Sequence, residues 1–100
     1  MSPTKLQILK MKAKAYKDQL ESQPKKEKQG VVSYSFAERF NSLLEELRTA
    51  TPELSPNLPA PIAFYETDFG RHVQQTEFIQ VEILIAQIIG LIELHEDHQP

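Results

Sequence analysis

The first third of the chain repeats apolar residues with the spacing of a helix that buries one face. Five apolar residues recur at intervals of three and four: Leu6, Leu9, Ala13, Tyr16 and Leu20. This stripe is typical of a helix that faces a partner along one seam. Thr4 is a suitable N-cap and Pro24 a stop signal, so we expect a first helix that ends at about Ser22.

A second helix is predicted after the short apolar segment 31–35. Ser35 and Glu38 have the spacing of a capping box, in which each side chain accepts a hydrogen bond from the other residue's backbone N–H. The helix should end at about Ala50, before Pro52. Its apolar face includes Leu44, and we expect this helix to cover the third one through Phe36, Phe40, Leu43 and Leu47.

The segment 51–61 contains four of the seven prolines of the chain. Proline fixes φ and lacks an N–H donor, so we expect no helix there but an extended, semi-rigid connector. Segments 31–35 and 62–66 are candidate short strands. If they paired, the fold would be α+β rather than all-α.

The third predicted helix is capped by Thr67 or Asp68 and runs to about His95. Within residues 78–94, twelve of seventeen residues are apolar. The alternation from Ile79 to Ile85 also suits a strand, but the apolar run continues beyond normal strand length. We therefore predict an all-α, single-domain chain of three helices over residues 1–100.

Apolar residues lie almost all round this third helix, with two narrow polar strips. Such a helix must be covered on most sides, and the chain offers two amphipathic helices to cover it. We therefore predict a homodimer or higher helical bundle. The expected interface consists of Ile79, Ile83, Leu84, Ile88 and Leu91.

Charge is distributed unevenly along the chain. Residues 1–30 hold eight lysines against three acids, a net +5, whereas residues 31–100 hold three arginines against eleven acids, a net −8. One interpretation is that the basic helix pairs with acids of its own fold or of a second copy. The alternative is a nucleic-acid-associated factor, since such asymmetry is a known hint of phosphate contacts. Its contact residues would be Lys5, Lys10, Lys12, Lys14 and Lys17.

The absence of cysteine is ordinary for a reducing compartment, and we expect a cytoplasmic protein. Glu82 and Glu93 make a membrane span costly, so none is expected. No phosphate-binding loop or nucleophile motif is present, and the pairing of His95 and Glu96 with His98 is a weak metal pattern near a terminus. We predict no catalytic residue, metal or cofactor. The predicted function is a small non-enzymatic interaction or regulatory module that partners itself or another protein.

Overall fold

The computed structural model describes residues 4–66, 72–73 and 76–97, and the fold is all-α, as predicted. Two short 3₁₀ helices and a pair of two-residue strands lie in the connections. In chain order the elements are α1 (Lys5–Glu21), a first 3₁₀ helix (Glu27–Gln29), α2 (Tyr34–Ala50), a second 3₁₀ helix (Pro52–Asn57), β1 (Tyr65–Glu66), β2 (His72–Val73) and α3 (Phe78–Asp97).

Helix α1 begins and ends close to its predicted bounds. The Thr4 hydroxyl accepts from the Gln7 N–H at 3.1 Å, and the Gln7 side chain accepts from the Thr4 N–H at 2.9 Å. This reciprocal capping box satisfies two backbone donors at the start of the helix. Most of the predicted stripe is buried, since Leu9, Ala13, Tyr16 and Leu20 all lie in the core.

The N-cap of α2 is Ser33, so the predicted cap at Ser35 is wrong by two residues. The Phe36 N–H donates to the Ser33 hydroxyl at 3.3 Å, and Ser35 already lies in the first turn. Val32 explains the difference: its side chain is buried, and its N–H donates to the Thr76 carbonyl at 2.9 Å. This tertiary contact holds Val32 outside the helix, which begins directly after the next residue.

The proline-rich connector contains a 3₁₀ helix, which corrects the expectation of a wholly extended segment. The Leu54 N–H donates to the Thr51 carbonyl at 3.0 Å, and the Leu58 N–H donates to the Ser55 carbonyl at 3.3 Å. Each turn has a proline as its second residue, where a φ near −65° is favoured and no donor is needed. The two leucines that close the turns are both buried.

The start of α3 and the strand pairing also differ from expectation. The predicted caps Thr67 and Asp68 lie outside the described residues, and α3 begins about ten residues later, at Phe78. β1 pairs antiparallel with β2, so segment 62–66 does not pair with segment 31–35. Val31 instead forms an isolated bridge with Glu77. The α+β alternative is therefore not adopted.

Helix α1 is the central helix of the core. Its backbone packs closely against both α2 and α3, whereas α2 meets α3 through the Phe36 and Phe78 rings, whose centroids are 6.4 Å apart. The main cover of α3 is thus α1, not α2 as expected. Lys10, in the first half of α1, pairs with the last turns of α3, whereas the Phe78 N–H at the start of α3 donates to the Gly30 carbonyl, which follows α1. The two helices therefore run antiparallel.

Candidate interaction surfaces

One side of α3 forms a large part of the hydrophobic core. The buried residues of this inner face, which recur with helical spacing, are Phe78, Val81, Ile85, Ile88, Ile89 and Ile92. They pack into a single cluster with the buried faces of α1 and α2. The strongly apolar sequence of α3 is therefore only partly explained by the core of its own chain.

The opposite side of α3 is apolar and faces water. We define the outer face as Ile79, Ile83, Ala86, Gly90 and Leu94, all of which are exposed. The exposed fractions of Ile79, Ile83 and Leu94 are 57%, 47% and 57%. At 3.6 residues per turn these five positions span an arc of about 80°. A side-chain carbon added at Gly90 would meet no atom within 4 Å, so the middle of this face is open.

The predicted interface residues of α3 are divided between the two sides. Ile79 and Ile83 lie on the outer face. Leu84 and Leu91 are half-buried and pack against the core, whereas Ile88 is fully buried inside the chain. Ile88 is therefore not available to a second copy, and the outer face adds Leu94, which the sequence did not single out.

The edges of the outer face differ in charge. Glu82 and Glu93 lie along the edge next to α1, and Gln80 and Gln87 lie along the other edge. The acidic edge is in contact with α1, since Lys14 Nζ lies 4.0 Å from the Glu93 carboxylate. This asymmetry limits the ways in which a second helix can lie on the face.

The lysines of α1 lie near carboxylates of the same chain. Lys10 Nζ is 3.0 Å from Glu96 Oε1 and 3.8 Å from Glu93 Oε2. The adjacent Glu96 carboxylate raises the pKa of Lys10 above its usual value. Lys12 lies 3.4 Å from Glu46 of α2. The helix that the sequence marks as basic is therefore partly neutralised by its own fold.

The other two predicted phosphate-binding lysines are at the ends of the same helix. Lys17 is 3.8 Å from Glu21, one turn further along α1. Lys5 is exposed and lines a shallow groove with Glu45 and Glu46 of α2. Four of the five candidate lysines thus have a carboxylate within 4.0 Å.

A groove of about 290 Å³ lies between α1 and α2. The Arg39 guanidinium covers the Tyr16 and Phe36 rings at 5.4 and 5.5 Å from their centroids. The Tyr16 hydroxyl donates to the Phe36 carbonyl at 2.7 Å. Burial raises the pKa of Tyr16, and the nearby Arg39 opposes part of that shift. These contacts fasten α1 to α2 and need no ligand to explain them.

The weak metal pattern of His95, Glu96 and His98 is only partly described, because His98 lies outside the described residues. Across ranges 4–66, 72–73 and 76–97, no group of three histidine, aspartate or glutamate side chains could hold a metal ion.

By length and composition alone, α3 is apolar enough to cross a membrane. A third of its most apolar window is buried against the rest of the chain. Hydropathy alone does not distinguish a membrane-spanning helix from the core helix of a soluble protein. No known protein family, no curated protein and no solved structure matches this chain.

Proposed function

We propose that this protein is a non-enzymatic, homo-oligomeric helical module whose copies associate through the outer face of α3. The observation that carries the proposal is the exposure of Ile79, Ile83 and Leu94 on one side of a single helix. Large contiguous apolar patches on a soluble protein are typical of interaction sites. A second copy of the chain is a partner that is present wherever the protein is made.

The energy available on this face indicates a modest affinity. Completing the burial of a half-exposed isoleucine or leucine contributes roughly 1 kcal/mol, half the value for full burial. Three such side chains from each of two copies would contribute about 6 kcal/mol before the loss of translational and rotational freedom is subtracted, whereas a micromolar dissociation constant requires a net of about 8 kcal/mol. We therefore expect weak association, with a dissociation constant well above the micromolar level.

The ion pairs of α1 weigh against the nucleic-acid alternative. Lys10, Lys12 and Lys14 each lie within 4.0 Å of a glutamate of the same chain. A phosphate backbone would have to displace these carboxylates and would also meet the acidic remainder of the fold. This distribution favours a module that uses its basic helix internally.

Sedimentation velocity over a wide concentration range tests the proposal. The wild-type chain should shift from monomer to dimer or higher oligomer as its concentration rises. Ile83→Asp places a charge on the outer face and should leave the protein monomeric. Ile8→Asp is the matched control, because Ile8 lies on α1 and is 41% exposed. It should associate as the wild type does, and circular dichroism should confirm that both variants are helical.

Two outcomes would overturn the proposal. One is a wild-type chain that stays monomeric up to millimolar concentration. The other is an equal effect of both substitutions on association. A parallel flotation assay with neutral and anionic liposomes covers the membrane alternative, because Ile83-dependent flotation of a chain that is monomeric in solution would assign the face to lipid.

A further inference from the structure

We infer that two copies pair through α3 in an antiparallel arrangement, with the two-fold axis between Ala86 and Gln87. This inference rests on the proposed function and specifies the geometry of that same surface. It follows from the order of large and small side chains along the outer face and from the charges on its edges.

The positions of the outer face are arranged in pairs about one point on the helix. Ile79 and Leu94 are equidistant from the point between residues 86 and 87, and so are Ile83 and Gly90. An antiparallel pair centred there therefore sets Ile79 against Leu94 of the second copy. Ile83 of each copy also faces Gly90 of the other copy, so this contact occurs twice, once on each side of the axis.

Gly90 provides a place for the opposing isoleucine. The space where its side chain would lie is open, with no atom within 4 Å, and Ile83 is half-exposed. Large side chains that pack against small ones fill an interface without voids. A parallel pair would instead set Gly90 against Gly90 and Ile83 against Ile83, which leaves a gap at one level and crowding at another.

The antiparallel pair brings the acidic edges of the two copies together, and Lys14 is the cation placed to offset their charge. A two-fold axis perpendicular to antiparallel helices places like edges side by side, so the Glu82 carboxylate of the second copy lies about 3 Å along the axis from the level of Glu93. Lys14 is half-exposed and already 4.0 Å from Glu93. It is therefore close enough to pair with Glu82 of the second copy. Within ranges 4–66, 72–73 and 76–97, Glu82 forms no ion pair in its own chain.

The parallel arrangement loses this contact. It places the Glu82 edge of one copy against the Gln80 and Gln87 edge of the other, so Lys14 stays on the far side from the second copy's Glu82. In the antiparallel pair the two Gln87 side chains instead meet near the axis, where their amides can bond to each other.

Cysteine cross-linking tests the direction of pairing, because the natural chain has no cysteine. An equimolar mixture of Ile79→Cys and Leu94→Cys should form a mixed disulfide dimer under mild oxidation. Ile79→Cys alone should not cross-link, because its two copies would lie about 22 Å apart along the helix axis. Efficient cross-linking of Ile79→Cys to itself would overturn the inference in favour of parallel pairing.

Substitutions at Gly90 test the contact with Ile83 separately from folding. Gly90→Gln should make the monomer more resistant to urea, since glutamine favours helix over glycine and the space is open. The same change should raise the dimer dissociation constant by about tenfold to a hundredfold, because the glutamine side chain fills the space into which Ile83 of the second copy would pack. Gly90→Ala, the small control, should stabilise the monomer with a much weaker effect on the dimer. Equal dimer affinity in both variants would contradict the inference.

Charge reversal tests the pair of Lys14 with the second copy's Glu82. Lys14→Glu should weaken the dimer by roughly threefold to tenfold, and adding Glu82→Lys to it should recover most of the loss. A double variant no stronger than Lys14→Glu alone would contradict this contact. If the wild type dimerises but these results fail, the proposed function stands and the antiparallel geometry falls. A wild type that never dimerises removes both.

Discussion

Helices α2 and α3 both bury one side in the same core, but their opposite sides differ in chemistry. The buried residues of α2 are Ala37, Phe40, Leu43, Leu44 and Leu47. Its opposite side carries the exposed carboxylates of Glu38, Glu45 and Glu46, whereas that of α3 exposes Ile79 and Ile83. A single copy therefore completes the packing of α2 and leaves α3 with an apolar side in water.

Side chains on the flanks of α2 also form hydrogen bonds within the chain. The Asn41 amide exchanges two hydrogen bonds with the backbone of Ile62, at 2.7 and 2.9 Å. Arg48 donates to the Pro59 carbonyl at 2.9 Å. These contacts fasten the proline-rich connector to α2. The comparison indicates that the first two helices serve the fold, while α3 serves the fold on one side and remains available on the other.

The largest expected effect is on stability, where the same isoleucine-to-alanine substitution should act differently on the two sides of α3. Ile85→Ala, on the buried side, should lower the free energy of unfolding by about 2–5 kcal/mol because it leaves a cavity. Ile83→Ala, on the outer face, should change it by no more than about 0.5 kcal/mol when the protein is monomeric. Urea unfolding at low protein concentration measures both values. Equal losses would remove the distinction between the faces.

A smaller effect is expected where α2 holds the connector. Asn41→Ala leaves the half-buried N–H and carbonyl of Ile62 without their side-chain partner and should cost about 1–3 kcal/mol. Ser42→Ala, at the next, exposed position, should change stability by less than about 0.5 kcal/mol. Thermal and urea unfolding check the pair, and similar values for both variants would show that the connector does not depend on α2.

The contact between α1 and α2 should depend on alkaline pH. Burial raises the pKa of Tyr16, so the unfolded chain ionises this tyrosine first, from about pH 10, and stability falls as pH rises above that value. Tyr16→Phe should cost about 0.5–1.5 kcal/mol at neutral pH through the lost hydrogen bond to Phe36. The stability difference between wild type and variant should then shrink above pH 10. Tyr34→Phe, at an exposed side chain, is the control, and a constant difference for Tyr16→Phe would contradict this prediction.

The smallest of these effects concerns the first turn of α2. Ser33→Ala should cost about 1 kcal/mol, since the hydroxyl caps the Phe36 N–H. Ser35→Ala should have little effect, because Ser35 lies inside the helix. Circular dichroism during urea unfolding distinguishes the two. A larger loss at Ser35 would move the start of α2 to the position that the sequence pattern favours.

The local signals of the sequence predicted most of α1 and α2. The spacing of Leu9, Ala13 and Tyr16 marked the buried stripe of α1, and Pro52 marked the end of α2. Such signals succeed because periodicity and proline geometry act within a few residues. The connector also carries a local signal for its 3₁₀ helix, since Thr-Pro-Glu-Leu and Ser-Pro-Asn-Leu each predict a turn with proline in second place.

Other features depend on contacts between distant segments. Both Ser33 and Ser35 are able to cap a helix, and the choice follows from the buried position of Val32 and its bond to Thr76. The start of α3 at Phe78 is likewise set by contacts with the segment around Gly30, whose carbonyl accepts from the Phe78 N–H at 2.8 Å. No pattern within either segment specifies these partners.

The sequence by itself determined three helical segments, the sorting of positive charge into the first of them, and an excess of apolar residues in the last. It did not distinguish the two sides of α3, so Ile83 and Ile88 ranked as equal interface candidates. The tertiary structure decided that Ile88 lies in the core and Ile83 in water, and that Lys10 lies beside Glu96. The physical reason is that helical periodicity is a local property, whereas the side that becomes buried depends on which neighbouring helix packs against it.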